Sequence, residues 1–225
     1  MERHFHEELR QLKEELFKMA LLVKEAIENA TRALLTQSGE RAEQVIAEDR
    51  VINELEIKID DAVHRLLTLR QPMAVDMRLL TMIAKINSDL ERIGDHAVNI
   101  AEKTLRIKEH ARIRAIGPAM DSCPISQMSV SATQVLLEAV EAFVNADAAS
   151  AQDLLKRDDE IDALYDKAYE SLEIQMQEDS AHVPTCMALI MVAHDLERVG
   201  DLANNIAEDA IYLAQGKEVR HHHEA

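Results

Sequence analysis

Residues 89–102 read DLERIGDHAVNIAE and residues 195–208 read DLERVGDLANNIAE, identical at eleven of fourteen positions. The chemistry in both copies is carried by oxygen donors. Glu91, Asp95, Asn99 and Glu102 fall within roughly 80° of arc on a helix, and Glu197, Asp201, Asn205 and Glu208 repeat the stripe. Carboxylates at i, i+4 on an exposed helix repel by a few tenths of a kcal/mol per pair, a cost that a bound cation reverses. Hard cations, iron and zinc all accept such oxygens. The spacing therefore points to an ion site, and a second helix must close it. The candidates are Asp158 and Asp162 in RDDEIDAL, with Asp49 and Asn53 at the matching positions of EDRVINEL. Asn53 supplies an oxygen without a charge. Gly94 and Gly200 precede the two aspartates, although a glycine inside a helix costs about 1 kcal/mol against alanine. Keeping it twice implies close approach, by a neighbouring helix or by a metal cluster.

The elements that hold these residues are long helices. Leu9, Leu12, Leu16, Met19, Val23, Ala26, Ile27, Ala30 and Leu34 step by threes and fours, predicting a helix over Phe5–Gln37 that breaks at Ser38-Gly39. A second runs over Arg41–Leu69 with Val45, Ile52, Leu55, Ile59, Val63 and Leu66 inward, and Pro72 separates it from a third over Met73–Ala115. Three more are expected over Ile125–Asn145, Ala148–Gln177 and Pro184–Gln215, the fourth and fifth parted by little more than a kink at Asn145-Ala146-Asp147. In the third and last helices Leu90, Ile93, Ala97 and Ile100, and Leu196, Val199, Ala203 and Ile206, lie opposite the carboxylates. The carboxylates thus face away from their own core. An offset of 109 aligns Met19 with Met128, Asp49 with Asp158 and Ile52 with Ile161, and an offset of 106 aligns the two opening segments. The whole three-helix unit is duplicated. The expected fold is all-α: two pseudo-symmetric three-helix bundles, over residues 1–116 and 125–216, joined by a linker at 117–124.

Composition narrows the function classes. The 225 residues carry 25 basic and 42 acidic side chains, a net charge of -17. That excludes a general nucleic-acid binder, which needs a basic face for phosphates, and disfavours direct adhesion to anionic lipid. Cys123 and Cys186 form no CxxC pair, so a thiolate zinc site is not expected. No apolar stretch approaches a membrane span and the N-terminus lacks an apolar signal core, which predicts a cytoplasmic protein. There is no GxxxxGK[ST] phosphate loop and no Ser-His-Asp or Cys-His arrangement, so no enzyme activity is expected.

The twin motifs, together with EELRQLKEEL, LRQPMAVDMRLL, the pair DRVINELE and DDEIDALYD, and the closing YLAQGKEVRH, resemble the PhoU family over nearly the whole chain. The resemblance implies six helices in two three-helix bundles and a regulatory, non-catalytic protein that represses the phosphate-starvation response when phosphate is plentiful. It implies E(D)xxxD motifs that bind surface metal clusters, with iron or zinc expected and magnesium or manganese as further candidates. Carried over here, these are Glu91–Asp95 and Glu197–Asp201, with Asp49–Asn53 and Asp158–Asp162, and Asn99, Glu102, Asn205 and Glu208 as further ligands. Asn53 departs from the pattern and leaves the first site one charge short. The implied partners are a sensor histidine kinase and the ATPase subunit of a phosphate transporter, so that contact with the membrane is indirect. A homodimer is the expected assembly.

Two rivals are weaker. A ferritin-like di-iron enzyme needs inward glutamates and paired ExxH motifs around one core, and the carboxylates here face outward. A metal-binding helical scaffold with no phosphate role is the alternative. His96 and His194 flank the stripes and are expected as surface residues. Met19, Met73, Met77, Met82, Met128, Met187 and Met191 are expected to pack in the core. Tyr165 and Tyr169, on the carboxylate helix of the second half, are candidate interface residues. His221–His223 are read as a short native tail of no functional weight.

Overall fold

The computed structural model describes residues 2–70, 72–109, 123–157 and 159–216, and these are helical almost throughout, with no strand among them. The first half is three helices: α1 (Glu2–Leu35), α2 (Gly39–Arg70) and α3 (Ala74–Glu109). The second half is α4 (Ile125–Asn145), α5 (Ala148–Leu155), α6 (Asp159–Glu178) and α7 (Val183–Gln215). Helices of 32–36 residues in the first half are about 50 Å long at 1.5 Å per residue. The two halves form the expected three-helix bundles, with α5 and α6 together in the place of α2. Residues 117–122 of the expected linker and the tail His221–His223 lie outside the described residues.

The apolar stripes build the cores. Leu16, Met19, Val23, Ile27 and Ile59 are fully buried in the first bundle, as are Leu136, Ala139, Leu172 and Leu189 in the second. Burying each large aliphatic side chain stabilises the fold by about 1.5–3 kcal/mol. The inward faces of α3 and α7 follow the expected register: Leu90, Ile93, Ala97 and Ile100, and Leu196, Val199, Ala203 and Ile206, are all buried. The methionines divide. Met19, Met82 and Met128 are core residues, whereas Met73, Met77, Met187 and Met191 are exposed. The core expectation fails for those four because they lie off the buried stripe of their own helices.

The first junction of each half repeats closely. Gln37 closes α1 in the left-handed region at φ 50°, and Ala146 closes α4 at φ 52°; they are equivalent at the offset of 109. Ser38 N–H bonds Ala33 O at 2.9 Å, and Asp147 N–H bonds Ala142 O at 2.8 Å, ending each helix with the same bond five residues back. Asp147 then caps α5, its Oδ1 accepting from Ala149 N and Ser150 N at 3.1 Å. The expected kink at 145–147 is therefore a full stop and a restart.

The fifth helix departs from expectation by breaking in two after Leu155. Its sequence at the break is LLKRDDEID. Basic Lys156 and Arg157 follow the C-terminus of α5, and Asp159, Glu160 and Asp162 stand in the first turn of α6. Each run suits the helix dipole it meets, so the charges favour two short helices over one long one.

The bundles meet along α1 with α4 and α3 with α7. The seam between α3 and α7 is polar and largely buried. Lys103 Nζ donates to Asp195 Oδ2 at 2.6 Å, and His96 Nδ1 lies 3.1 Å from Asp195 Oδ1. Lys85 Nζ donates to Asp209 Oδ2 at 2.6 Å, and Asp209 is fully buried. Arg78 stacks over the Tyr212 ring, 5.3 Å from its centre. Across the other contact, Lys13 Nζ donates to Val144 O at 2.8 Å. His96, expected at the surface, is half-buried in this seam, because α7 packs over the flank of α3 that a single-helix projection leaves open.

Candidate metal sites on the second and third helices

In each bundle the repeated motif faces the neighbouring helix across a half-exposed groove. In the first, α2 brings Asp49 and Asn53 to Glu91 and Asp95 of α3. Asn53 Nδ2 donates to Asp49 Oδ2 at 2.8 Å. Burial pushes the Asp49 carboxyl up from its ordinary value, the Asn53 hydrogen bond opposes the shift, and the charge of Asp95 adds to it. Glu91 is pushed up by burial and then by the charges of Asp95, Glu56 and Asp49, against Arg92. Glu56 thus joins the group; it lies seven residues after Asp49, on the same face of α2, and that spacing was its signal in the sequence.

The second bundle builds the equivalent group from Asp162 of α6 with Glu197 and Asp201 of α7. Burial raises Asp162, and the charges of Asp201, Asp159 and Asp166 raise it further. Burial also raises Glu197, with Asp201 and Asp162 adding to it and His194 and Arg198 opposing. Asp159 and Asp166 escaped the sequence reading, although Asp166 follows Asp162 at i+4. Asp158, the expected fourth member, lies outside the described residues.

The two groups differ in how their charge is balanced. Arg198 Nη1 donates to Asp201 Oδ2 at 2.6 Å, and His194 Nδ1 lies 3.3 Å from Glu197 Oε2. In the first bundle the matching arginine, Arg92, turns to Asp89 at 3.4 Å instead. The first group replaces one carboxylate by Asn53, while the second sets the Arg198 guanidinium against Asp201 and the His194 ring beside Glu197. His194 is exposed at the edge of its group, as expected of a surface residue.

The motif glycines are set by helix packing. A Cβ on Gly200 would stand 2.7 Å from Ile161 Cδ1, and one on Gly94 would stand 3.4 Å from Ile52 Cδ1 and Cγ2. Ile52 and Ile161 are repeat equivalents, so the same isoleucine fits the same missing side chain in both copies. At Gly94 the fit is looser and the first bundle keeps a cleft of about 270 Å³ there, between α1 and α2, with Asp49 and Glu48 on its wall.

Asn99, Glu102, Asn205 and Glu208 lie on the same faces farther along. Glu102 is about 16 Å up the helix axis from Glu91, and Glu208 stands as far from Glu197, so one ion cannot bridge either pair. Glu102 instead pairs with Arg106 at 4.0 Å. Asn99 and Asn205 stand one turn beyond the aspartates.

The donor set suits a hard or borderline cation. Asp49 Oδ1 and Asn53 Oδ1 are buried without a hydrogen-bond partner, and a buried oxygen so placed costs about 1–3 kcal/mol; Glu197 Oε2 makes no hydrogen bond beyond its 3.3 Å contact with the His194 ring. Among the described residues, however, no three His, Cys, Asp or Glu side chains already converge on one point. Ion binding at the first groove therefore requires its carboxylates to draw closer together.

Comparison with known proteins agrees with this architecture. The PhoU domain family matches residues 16–104 and again residues 125–210. The chain is 39% identical over 216 residues to the phosphate-specific transport system accessory protein PhoU homolog of Aquifex aeolicus, covering 96% of this chain and 95% of that one. It is 30% identical to the phosphate-specific transport system accessory protein PhoU of Escherichia coli, over 96% and 88%. The crystal structure of PhoU from Pseudomonas aeruginosa superposes with a TM-score of 0.85 at 33% identity, covering 95% of this chain and all of that one. The phosphate transport system regulatory protein PhoU from Streptococcus pneumoniae superposes at 0.84 and 30% identity, over 96% and 99%. With the duplicated motif, both family matches and both superpositions running over the same two bundles, the chain belongs to the PhoU family.

Proposed function

We propose that this protein is a cytoplasmic accessory regulator of phosphate uptake. It represses the phosphate-starvation response when phosphate is abundant, by linking a phosphate transporter's ATPase subunit to a sensor histidine kinase. Metal ions occupy the two grooves, held by Asp49, Asn53, Glu91 and Asp95 in the first and by Asp158, Asp162, Glu197 and Asp201 in the second. Iron or zinc is the expected ion, with magnesium or manganese as alternatives. An ion there supplies charge neutralisation and a rigid link between the second and third helices of each bundle. The role is non-catalytic, and the working form is a homodimer.

The observation that carries this reading is the repeat of one arrangement in both halves: the motif of the third helix set against carboxylates of the second, around buried oxygens with no hydrogen-bond partner. Membership of a family whose named relatives serve phosphate transport supports the regulatory part. No helix among the described residues is long and apolar enough to cross a membrane, so contact with a transporter would be made through a surface.

Two experiments test the two parts. Protein purified without a histidine-affinity step is expected to retain metal and to lose several degrees of melting temperature in chelator; no metal and no shift would remove the ion site. Deleting the gene is expected to derepress alkaline phosphatase in high phosphate. Normal repression in that strain would leave a helical scaffold with no phosphate role.

A further inference from the structure

The second bundle carries an apolar stripe that the first lacks. On α7, Val183, Met187 and Met191 follow one another at i, i+4, i+8, and all three are exposed, at 38%, 49% and 52%. Wound at about 100° per residue, this stripe runs on through His194 and Arg198 to Asp201, so it ends at the second carboxylate group. The adjacent helix continues it. Gly200 meets Ile161, and the Tyr165 ring lies 6.3 Å from that of His194. This antiparallel register sets Tyr169, 48% exposed, level with Met191. Tyr169 shares its own helix face with Asp162 and Asp166.

The duplication supplies an internal control. The first-bundle counterparts of Met187 and Met191 are Thr81 and Lys85, and those of Tyr165 and Tyr169 are Glu56 and Asp60. Only Val183 has an apolar counterpart, Met77. Core packing does not account for the difference, because both methionines stand half in solvent. Exposed methionines beside an aromatic ring make an adaptable apolar surface, of the kind used to receive amphipathic helices.

We propose that this face of α6 and α7 docks an amphipathic helix of a partner protein, its apolar side chains on Val183, Met187, Met191 and Tyr169 and its Lys or Arg end on Asp166 and, where no ion neutralises them, on Asp162, Glu197 and Asp201. Charge complementarity selects this occupant. The far end of the stripe is acidic even with Arg198 counted, and the chain's net charge is -17. A second copy would offer this acidic end no basic run to match it, and an anionic lipid surface would be repelled. From Val183 to Asp201 is about 27 Å, the length of a helix of about 18 residues. The proposal rests on the adaptor reading only in expecting a partner, and on no bound ion.

The test uses the full chain and a synthetic amphipathic peptide of about 18 residues, leucines on one face and lysines at one end, followed by fluorescence anisotropy. Binding is expected, weakening with salt, and M187E/M191E is expected to lower affinity at least about tenfold, a change of 1.4 kcal/mol. T81E, on the equivalent face of the first bundle, is expected to leave binding unchanged. If circular dichroism shows M187E/M191E to be destabilised, M187Q/M191Q replaces it. Equal loss with T81E, or no loss with M187E/M191E, would overturn the proposal. So would a dimer that M187E/M191E dissociates in sedimentation, or preferential binding of phosphatidylserine vesicles. These readouts are separate from alkaline phosphatase. Failure of the peptide with derepression in the deletion strain leaves the adaptor role and moves its surface; peptide binding with normal repression leaves the surface and removes the role.

Discussion

Replacing each motif glycine by alanine gives a paired test of the packing described for α2 with α3 and α6 with α7. The change removes the backbone-entropy penalty of a helical glycine, worth about 1 kcal/mol. It also adds one methyl group. At Gly94 that methyl meets Ile52 at 3.4 Å, an ordinary contact beside an open cleft, so most of the gain survives. At Gly200 it meets Ile161 Cδ1 at 2.7 Å, well inside the roughly 3.5–4.0 Å of a good carbon contact. Ile161 must leave its rotamer, at about 0.5–1.5 kcal/mol, or the helices must part, at about 1–3 kcal/mol. Gly94→Ala is therefore expected to stabilise by about 0.5–1 kcal/mol and to raise the melting temperature by about 1–4 °C. Gly200→Ala is expected to be neutral or destabilising by up to about 2 kcal/mol. Urea and thermal unfolding in chelator measure both without interference from bound ions. A Gly200→Ala midpoint at or above that of Gly94→Ala would refute the packing argument.

Three further outcomes are expected. Asn53→Asp removes the hydrogen bond to Asp49 and adds a charge beside it, so the chelated protein should lose about 1–3 kcal/mol while added manganese or zinc stabilises it more than the parent; an unchanged midpoint in chelator would contradict this. Asp49, Glu91, Asp162 and Glu197 all have folded pKa values above their ordinary ones. The folded state then binds protons more tightly, so their contribution is greatest below the ordinary carboxylate values near 4 and is lost as pH rises through the raised values. Chelated protein should gain stability as pH falls from 7 toward that range, and Glu91→Gln/Glu197→Gln should flatten the gain; identical slopes would count against the shifts. Lys103→Met leaves the Asp195 carboxylate buried with His96 alone and should cost about 3 kcal/mol in urea unfolding, much of it restored by adding Asp195→Leu. Two losses that simply add would show that the pair is not coupled.

Much of this was legible in the sequence because helices report their buried side directly. Val45, Ile52, Leu55, Ile59, Val63 and Leu66 stand inward as their period requires. The pairing of Asp49 and Asn53 with Glu91 and Asp95 followed from the duplication, which marks equivalent positions without any structure. Contacts between the bundles were not legible. His96 and Asp195 are 99 residues apart, and neither helix's periodicity records which polar flank meets the other bundle. Glu56, Asp159 and Asp166 were missed because ordinary surface helices carry many acids, and only the neighbouring helix distinguishes those that crowd a groove. The break at 155–159 was missed because its signal is a reversal of charge, with no glycine or proline.

The seam between the bundles also limits how the halves can be recombined. Lys103 and Asp209 are the same position in the two repeats, as are Asp89 and Asp195. Lys103 bonds Asp195 across the seam, so a symmetric pair of first halves would set lysine against Asp89 twice. A symmetric pair of second halves would set Asp209 against Asp195, two acids with no lysine between them. A pair of first halves would also set Lys85 against Lys103, because Lys85 bonds Asp209 here and Lys103 stands at the Asp209 position. The two seam faces are complementary at Lys103 and Asp195 and at Lys85 and Asp209, so neither half meets an equally matched face in a copy of itself.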